Sequence, residues 1–439
     1  MGHLRRRVAP AGPYGRRHGR RDPPPPDDGG RLMRTRVAVT GVGLRTPAGS
    51  GPKELWNALL GGRSTARAIT SFDVSALPVR FACQIHDLDV SAYLTVKQAR
   101  RLDRASLLAV CAAGDALADA GHPEVPAERR AVVAGSSFCG TETYESTLLG
   151  ADGPGGLKAS PLFIPKIMPN AGAAAVGMRY GVRGPSMAVS TACASGAHAI
   201  GEGVRLIRDG SADLVLAGAG DANITPGMLH GFSRCRALSA RNDDPAAACR
   251  PFDAGRDGFV LAEGAAFLVL ERLDDAVRRG ARVHAELSGY GRTCDAHDLT
   301  APAPEGEGAR RCMEAALGDA GLSPADIVHV NAHGTGTELN DLTEAQAIRS
   351  VFGPAAVPVS STKGVTGHAI GASGAIEAVA CVLAIAECTA PPTANLDRLD
   401  PRCDVDAAAV PRPIARGPVL SNSFGFGGHN ATLILSPPP

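Results

Sequence analysis

Residues 185–210 read PSMAVSTACASGAHAIGEGVRLIRDG, and the fold follows from how this stretch is parsed. Met187, Ala188 and Val189 have the pattern of a short buried strand. Ser190 and Thr191 are suitable helix N-caps, so a helix is predicted from Ala192 to Arg208, with Gly210 as its stop. Cys193 then falls in the first turn of that helix. Unpaired backbone N–H groups and the positive end of the helix dipole would favour its thiolate and lower a reference pKa of about 8.5. The same N–H groups could hold the oxyanion formed when a thioester carbonyl is attacked. Ala192, Ala194, Ser195, Gly196 and Ala197 carry so little side chain that other backbone can pack directly against this helix. A cysteine among small residues is ordinarily plain core; the strand, turn and helix frame is what argues for a nucleophile.

The chain around this stretch has 439 residues, 44% of them hydrophobic and 20% charged, with a net charge of +1. That composition fits a globular protein with no overall attraction to nucleic acid or to a membrane surface. Aromatics make up only 4% while there are 53 glycines, which suits helices packed tightly on a sheet. Eleven cysteines, an odd number with no CxxC pair, argue against a disulfide framework or a zinc site and predict a reducing cytoplasm. Cys111, Cys312 and Cys381 lie in apolar helical runs and are expected to be inert. No apolar run is read as long enough to cross a bilayer. Lysine occurs only at Lys53, Lys97, Lys158, Lys166 and Lys363, so the isolated Lys363 stands out. Residues 1–33, rich in Arg, Gly and Pro, are predicted to be a disordered tail that lacks the apolar segment of a signal peptide.

Order is expected from Arg36. The run RVAVTGVGLRTPAGSG reads as a strand and a Gly-rich turn; it resembles a dinucleotide fingerprint, but Thr46 takes the place of the third Gly, and a tight turn is the preferred reading. Helices are predicted near 52–60, 97–120 and 171–180, strands at 130–140 and 212–221, and a Gly- and Arg-rich loop region, including RPFDAGRDGF, from Gly231 to Gly264. The second half repeats the plan: strand 282–293, helix 304–321, strand and loop 326–341, helix 342–352, then strand into long helix over 359–387. Alternation of this kind predicts an α/β layered fold with a mainly parallel sheet, divided at 281/282 into an N-terminal half (34–281) and a C-terminal half (282–439). Val189, Ser190 and His198-Ala199-Ile200-Gly201 recur as Val359, Ser360 and His368-Ala369-Ile370-Gly371, an offset of 170 that suggests duplication. Related halves would bring both helix starts to a pseudo-twofold axis, with a cleft between them.

Cys193 needs partners, and the second half supplies candidates. His333 follows a predicted buried strand (VHVNAHGTGT), and His368 and Lys363 sit at the second strand-to-helix junction, read as the counterpart of Cys193. Glu377, on the next helix, is a candidate counter-ion for a buried Lys363. His198 is assigned to packing.

STACASG, RPFDAGRDGFVLAEGA, NAHGTGTELND, STKGVTGHAIGASGAIEA and SNSFGFGGHN, occurring together and in this order, resemble the β-ketoacyl-acyl carrier protein synthases, elongating condensing enzymes of fatty acid and polyketide synthesis. The resemblance covers about residues 35–436. It implies a thiolase-like α/β/α/β/α fold of two pseudo-twofold-related halves, and decarboxylative condensation of an acyl thioester with malonyl-acyl carrier protein. It implies that Cys193 holds the acyl chain, that His333 and His368 promote decarboxylation and steady the enolate, and that Lys363 with Glu377 orders the pocket. The N–H groups of Cys193 and Phe424 would form the oxyanion hole, with Phe424 gating the channel. Thr335 and Thr337 would bind the phosphopantetheine arm; Phe138, Phe163, Phe232 and Asp295 would belong to the substrate site. No metal and no cofactor of its own are implied, since the arm arrives on an acyl carrier protein. The partners implied are that carrier and a second subunit, identical or a related chain-length subunit, with no nucleic acid and no membrane. CDAHDL (294–299) departs from the family's Asp-Ala-Tyr-His, so Asp295 carries over while His297 is displaced by one position. A phenyl ring at Phe138, where the family often has a smaller aliphatic group, would shorten the acyl cavity and favour short or unusual primers. The alternatives are a non-catalytic chain-length subunit, which would lack the nucleophile, and a thiolase, which would need a second cysteine near the C-terminus.

Overall fold

The structure, a computed structural model, describes residues 34–150, 158–354 and 356–439. The tail expected at 1–33 lies outside them. From Thr35 to Pro439 the chain is one compact unit, so the boundary expected at 281/282 separates two halves of a single body.

Strands β1 (Val37–Arg45), β2 (Arg130–Gly135), β3 (Ser186–Val189), β4 (Leu214–Ala222), β5 (Glu263–Arg272), β6 (Ala285–Cys294), β7 (His329–Asn331), β8 (Pro358–Ser360), β9 (Asp406–Ala407), β10 (Val419–Gly425) and β11 (His429–Ser436) form one sheet. Its order is β9-β8-β7-β10-β11-β6-β1-β5-β4-β2-β3. The scaffold helices are α1 (Pro52–Gly61), α2 (Arg104–Asp119), α3 (Ala171–Tyr180), α4 (Ser195–Arg208), α5 (Glu307–Ala320), α6 (Glu338–Phe352) and α7 (Ser373–Glu387). Helix α2 starts later than expected because Asp103 accepts a hydrogen bond from the Ala105 N–H at 3.1 Å and so caps the helix there.

The sheet is mixed, where a mainly parallel one was expected. In the first half β2 runs parallel to β3 and β4, while β5 is antiparallel to both β4 and β1. The second half repeats this: β7 is parallel to β8 and β10, and β11 is antiparallel to β10 and β6. The halves join through the antiparallel pair β1 and β6. The antiparallel strands not expected from sequence were β5, EGAAFLVLER, which follows the region read as loop and is buried almost along its whole length, and β10 and β11 at the C-terminal end. Helices α4 and α7 pack against each other and against strands of both halves, forming the middle layer; α2 and α3 cover the first half outside, and α5 with α6 the second.

Gly41 and Gly43 do not make a turn. They lie inside β1, where a Cβ would meet Ala116 O and Ala112 O of α2, each at 2.1 Å. Gly289 and Gly291 of β6 serve α5 in the same way, with Ala316 O at 2.5 Å and Cys312 O at 2.0 Å from the imagined Cβ. Both Gly-x-Gly pairs are surfaces on which helix backbone rests.

The duplication has a different register from the one read in sequence. Ser195-Gly196-Ala197 opens α4 and Ser373-Gly374-Ala375 opens α7, 178 residues apart. Three residues before each helix, Ala192 and Ile370 have φ of +49° and +47°. A Cβ on Gly196 would lie 2.8 Å from Ala375 N, and one on Gly374 would lie 3.0 Å from Ala197 N, the reciprocal contacts of a pseudo-twofold axis. At the 170-residue offset His198 is inside α4 whereas His368 precedes α7, so that shared word is out of register. The structural counterpart of Cys193 is Gly371. The segment Ile370–Glu387 is, contrary to the sequence reading, long and apolar enough to cross a membrane by length and composition, but 83% of it is buried inside the fold as the core helix.

Candidate active site

Cys193 stands two residues ahead of α4 and not in its first turn. The positive φ of Ala192 makes an elbow between β3 and the helix. The N–H groups nearest the helix start are used within that elbow: Ala194 N donates to Thr191 O and Ser195 N to Ala192 O, both at 3.1 Å, and the Ser195 hydroxyl donates to Ala192 O at 2.6 Å. They are therefore spent before they can stabilise a thiolate. The expectation of a lowered thiol pKa is overturned: removal from water pushes Cys193 up to about 12, and the nearby Lys363 charge offsets this only in part. The N–H groups that face the sulfur are those of Cys193 itself and of Phe426. The second N–H facing the sulfur thus comes from two residues beyond Phe424, the residue expected to supply it, whose ring instead meets His333 edge-on at 5.9 Å.

His333 lies on the loop between β7 and α6, 2% exposed. Glu344, which sequence reading missed, accepts the His333 and Gly334 N–H groups at 2.8 Å each and fixes the loop's start. Burial raises the Glu344 carboxyl to about 7. Its signal in the sequence was only a polar residue on the helix after the loop. Lys363, fully buried, ion-pairs with Glu377, donates to His333 O at 2.5 Å and lies 3.4 Å from His333 Nδ1. An ammonium group can only donate, so Nδ1 accepts and the proton of the neutral ring sits on Nε2.

His368, 1% exposed, has Nδ1 2.8 Å from Ser373 Oγ, while its buried Nε2 has no partner. A hydroxyl can donate or accept, so Ser373 permits either tautomer of His368. Burial first and Lys363 second hold both imidazoles well below the usual histidine range, which keeps them neutral at pH 7. The two rings are T-shaped, with centroids 5.4 Å apart. One ligand atom from each of Cys193, His333 and His368 lies within 4.8 Å of the others. A cation in that space would face Lys363, whose charge already acts on all three groups, so the residues fit a metal poorly.

From His368 a row of rings leads outward: Phe259 at 4.9 Å, then Phe232 at 5.6 Å, then Phe138 at 6.3 Å. Phe259, at the end of RPFDAGRDGF, was not identified from sequence. Phe163 is not part of this row; it stacks on Tyr144 at 6.1 Å. The Thr335 and Thr337 hydroxyls lie 2.9 Å apart on the His333 loop. Asp295 accepts from Asn430 Nδ2 at 2.6 Å and from Ala303 N at 2.9 Å, and its own N–H donates to Gly428 O at 2.9 Å, tying the loop after β6 to the loop after β10. His297 is exposed. His198 is bonded to Tyr290 at 2.8 Å, inside the fold.

A thiol converging with two neutral imidazoles in a duplicated layered fold is the arrangement of a thiolase-like acyl-transferring enzyme. Residues 34–276 match the family described as Beta-ketoacyl synthase, N-terminal domain, and 284–397 match Beta-ketoacyl synthase, C-terminal domain. The chain is 44% identical over 409 residues to the Synechocystis 3-oxoacyl-[acyl-carrier-protein] synthase 2, covering 92% of this chain and 98% of that one. Among solved structures it resembles the ishigamide ketosynthase/chain length factor (TM-score 0.84, 35% identity, 92% of this chain and 100% of that one). It also resembles a type II PKS acyl-carrier protein in complex with its ketosynthase bound to the hexaketide (TM-score 0.84, 31% identity, 93% and 100%). The chain belongs to the β-ketoacyl synthase family, and it is an acyltransferase of the ketosynthase type.

Proposed function

We propose that the protein joins an acyl group held as a thioester on Cys193 to a malonyl group delivered by an acyl carrier protein, releasing CO2 and giving a 3-oxoacyl-carrier protein. The observation that carries this is the convergence of Cys193, His333 and His368 within 4.8 Å. In the loading step Cys193 attacks the incoming thioester and the carrier thiol leaves. His368 Nε2, unpartnered and neutral, is placed to take the thiol proton and pass it to the departing carrier sulfur, which matters because the thiol does not ionise on its own. The tetrahedral oxyanion is met by the Cys193 and Phe426 N–H groups. In the second step CO2 leaves the malonyl group, and the enolate oxygen is held by His333 Nε2–H and by His368 in its other tautomer; neutral donors do this without giving up a proton. The enolate carbon then attacks the acyl thioester and the Cys193 sulfur departs as a thiolate, which takes up one proton from solvent to restore the thiol. Holding both partners in one cleft makes the carbon–carbon bond formation effectively unimolecular.

The protein carries no cofactor of its own, and Thr335 and Thr337 bind the carrier's phosphopantetheine arm. The presence of Cys193 favours an active enzyme over a non-catalytic subunit. Phe138, at the end of the ring row, limits the acyl cavity. The edge strand β3, with Met187 40% exposed, and Met178 on α3, 77% exposed, provide the face for a second subunit. Eleven free thiols suit a cytoplasmic site of action. Incubation with acyl-carrier proteins of graded chain length, followed by intact-mass measurement, tests the reading: short acyl groups should accumulate on the wild-type chain and not on Cys193→Ala. Failure of any acyl group to load, or equal loading of the alanine variant, would sink it.

A further inference from the structure

Apart from Phe259 in the ring row, the segment RPFDAGRDGF, 250–259, has no part in the chemistry above, yet it grips the loop that carries His333, Thr335 and Thr337. Six successive carbonyls, from His333 to Glu338, receive donors from outside the loop. Lys363 serves His333 O at 2.5 Å, the Ser361 hydroxyl serves Gly334 O at 2.6 Å and the Cys249 thiol serves Thr335 O at 3.8 Å. Gly258 N–H serves Gly336 O at 3.0 Å, and Arg256 serves both Thr337 O at 3.3 Å and Glu338 O at 3.2 Å.

Arg256 is costly where it stands. Its side chain is 2% exposed and lies at the N-terminal end of α6, where the helix dipole disfavours a cation. It is kept there by Asp400 at 2.7 Å and by Asp341 at 3.7 Å, and Asp341 in turn accepts the Phe252 N–H at 2.7 Å and the Gly336 N–H at 3.1 Å. A planar guanidinium can serve two carbonyls and a carboxylate at once; an apolar side chain would fill the space and serve none.

We infer that Arg256 is a positioning residue that holds Thr335 and Thr337 in the geometry that receives the carrier-borne arm, and so sets the affinity for substrate on its carrier. The inference rests on the proposed function. At the His333 end the loop is fixed separately by Glu344 and Lys363, so loosening the Arg256 end acts on arm binding more than on the imidazole.

The test uses the full chain with malonyl on an acyl carrier protein and, in parallel, malonyl S-ethyl thioester, which has no arm, reading CO2 release. In Arg256→Gln the ratio of KM for the carrier-borne substrate to KM for the arm-less one should rise roughly tenfold or more, with kcat for the carrier-borne substrate changed by less than about threefold. Arg256→Lys, which keeps the charge but has fewer fixed donors, should show a smaller rise in the same ratio at unchanged Tm, and it carries the test if the glutamine variant does not fold. An unchanged ratio, or a fall in kcat equal for both substrates, overturns the inference. Absence of CO2 release from either substrate by the wild type would instead count against the proposed function.

Discussion

At Cys193 the decisive effect is desolvation against dipole. A thiol in a helix first turn was expected to ionise easily, but the elbow uses the N–H groups that would have helped it, and burial wins. Because the folded pKa is raised to about 12, the native protein holds a proton that an unfolded chain gives up above its reference of about 8.5. The contribution of this thiol to stability is therefore lost as pH rises through that window. Its alkylation by iodoacetamide should likewise keep accelerating from pH 7 to pH 10; a plateau near neutral pH would show a thiolate that the structure does not support. The residue types of the site were legible because nucleophile and imidazole stand at junctions of strand and helix. Phe426 was not, since backbone N–H groups leave no mark on side-chain identity, and Glu344 was hidden because it acts by accepting two backbone N–H groups of the preceding loop, which looks like any polar residue on a helix.

Among the elements, the strands and helices with plain apolar periodicity were readable, while those made by glycine were not. Gly-x-Gly in β1 looked like a turn because sequence does not show the helix backbone lying 2.1 Å from where its Cβ atoms would be. The repeat was visible, but its true register lies in Ser-Gly-Ala, where two helices touch, and not in the longer matching word. Gly374→Val should accordingly destabilise the protein by about 1–3 kcal/mol, since its Cβ would press on Ala197 N at 3.0 Å. Gly318→Ala in α5, with nothing within 4 Å of its Cβ, should be neutral or stabilising by up to about 1 kcal/mol. Urea unfolding of both variants checks this; equal midpoints would refute the packing account.

Over the whole molecule, the two halves bring their residues to one cleft because the sheet is continuous through β1 and β6 and because α4 and α7 share the middle layer. The layered α/β class was legible from the alternation of elements; the antiparallel strand β5 was not, since it is buried on both faces and shows no alternation of polar and apolar residues. The exposed edge at β3 has its own consequence. With β3 as the proposed subunit face, Met187→Arg should shift the protein toward monomer in sedimentation analysis, whereas an association state unchanged from that of the wild type would count against that face.

The division of labour across the cleft is the central claim, and CO2 release from malonyl-carrier protein measured alongside acyl loading tests it most directly. Cys193→Ala should abolish loading and retain part of the decarboxylation, while His333→Ala should retain loading and lose most of the decarboxylation. Equal loss of both steps in both variants would contradict the account.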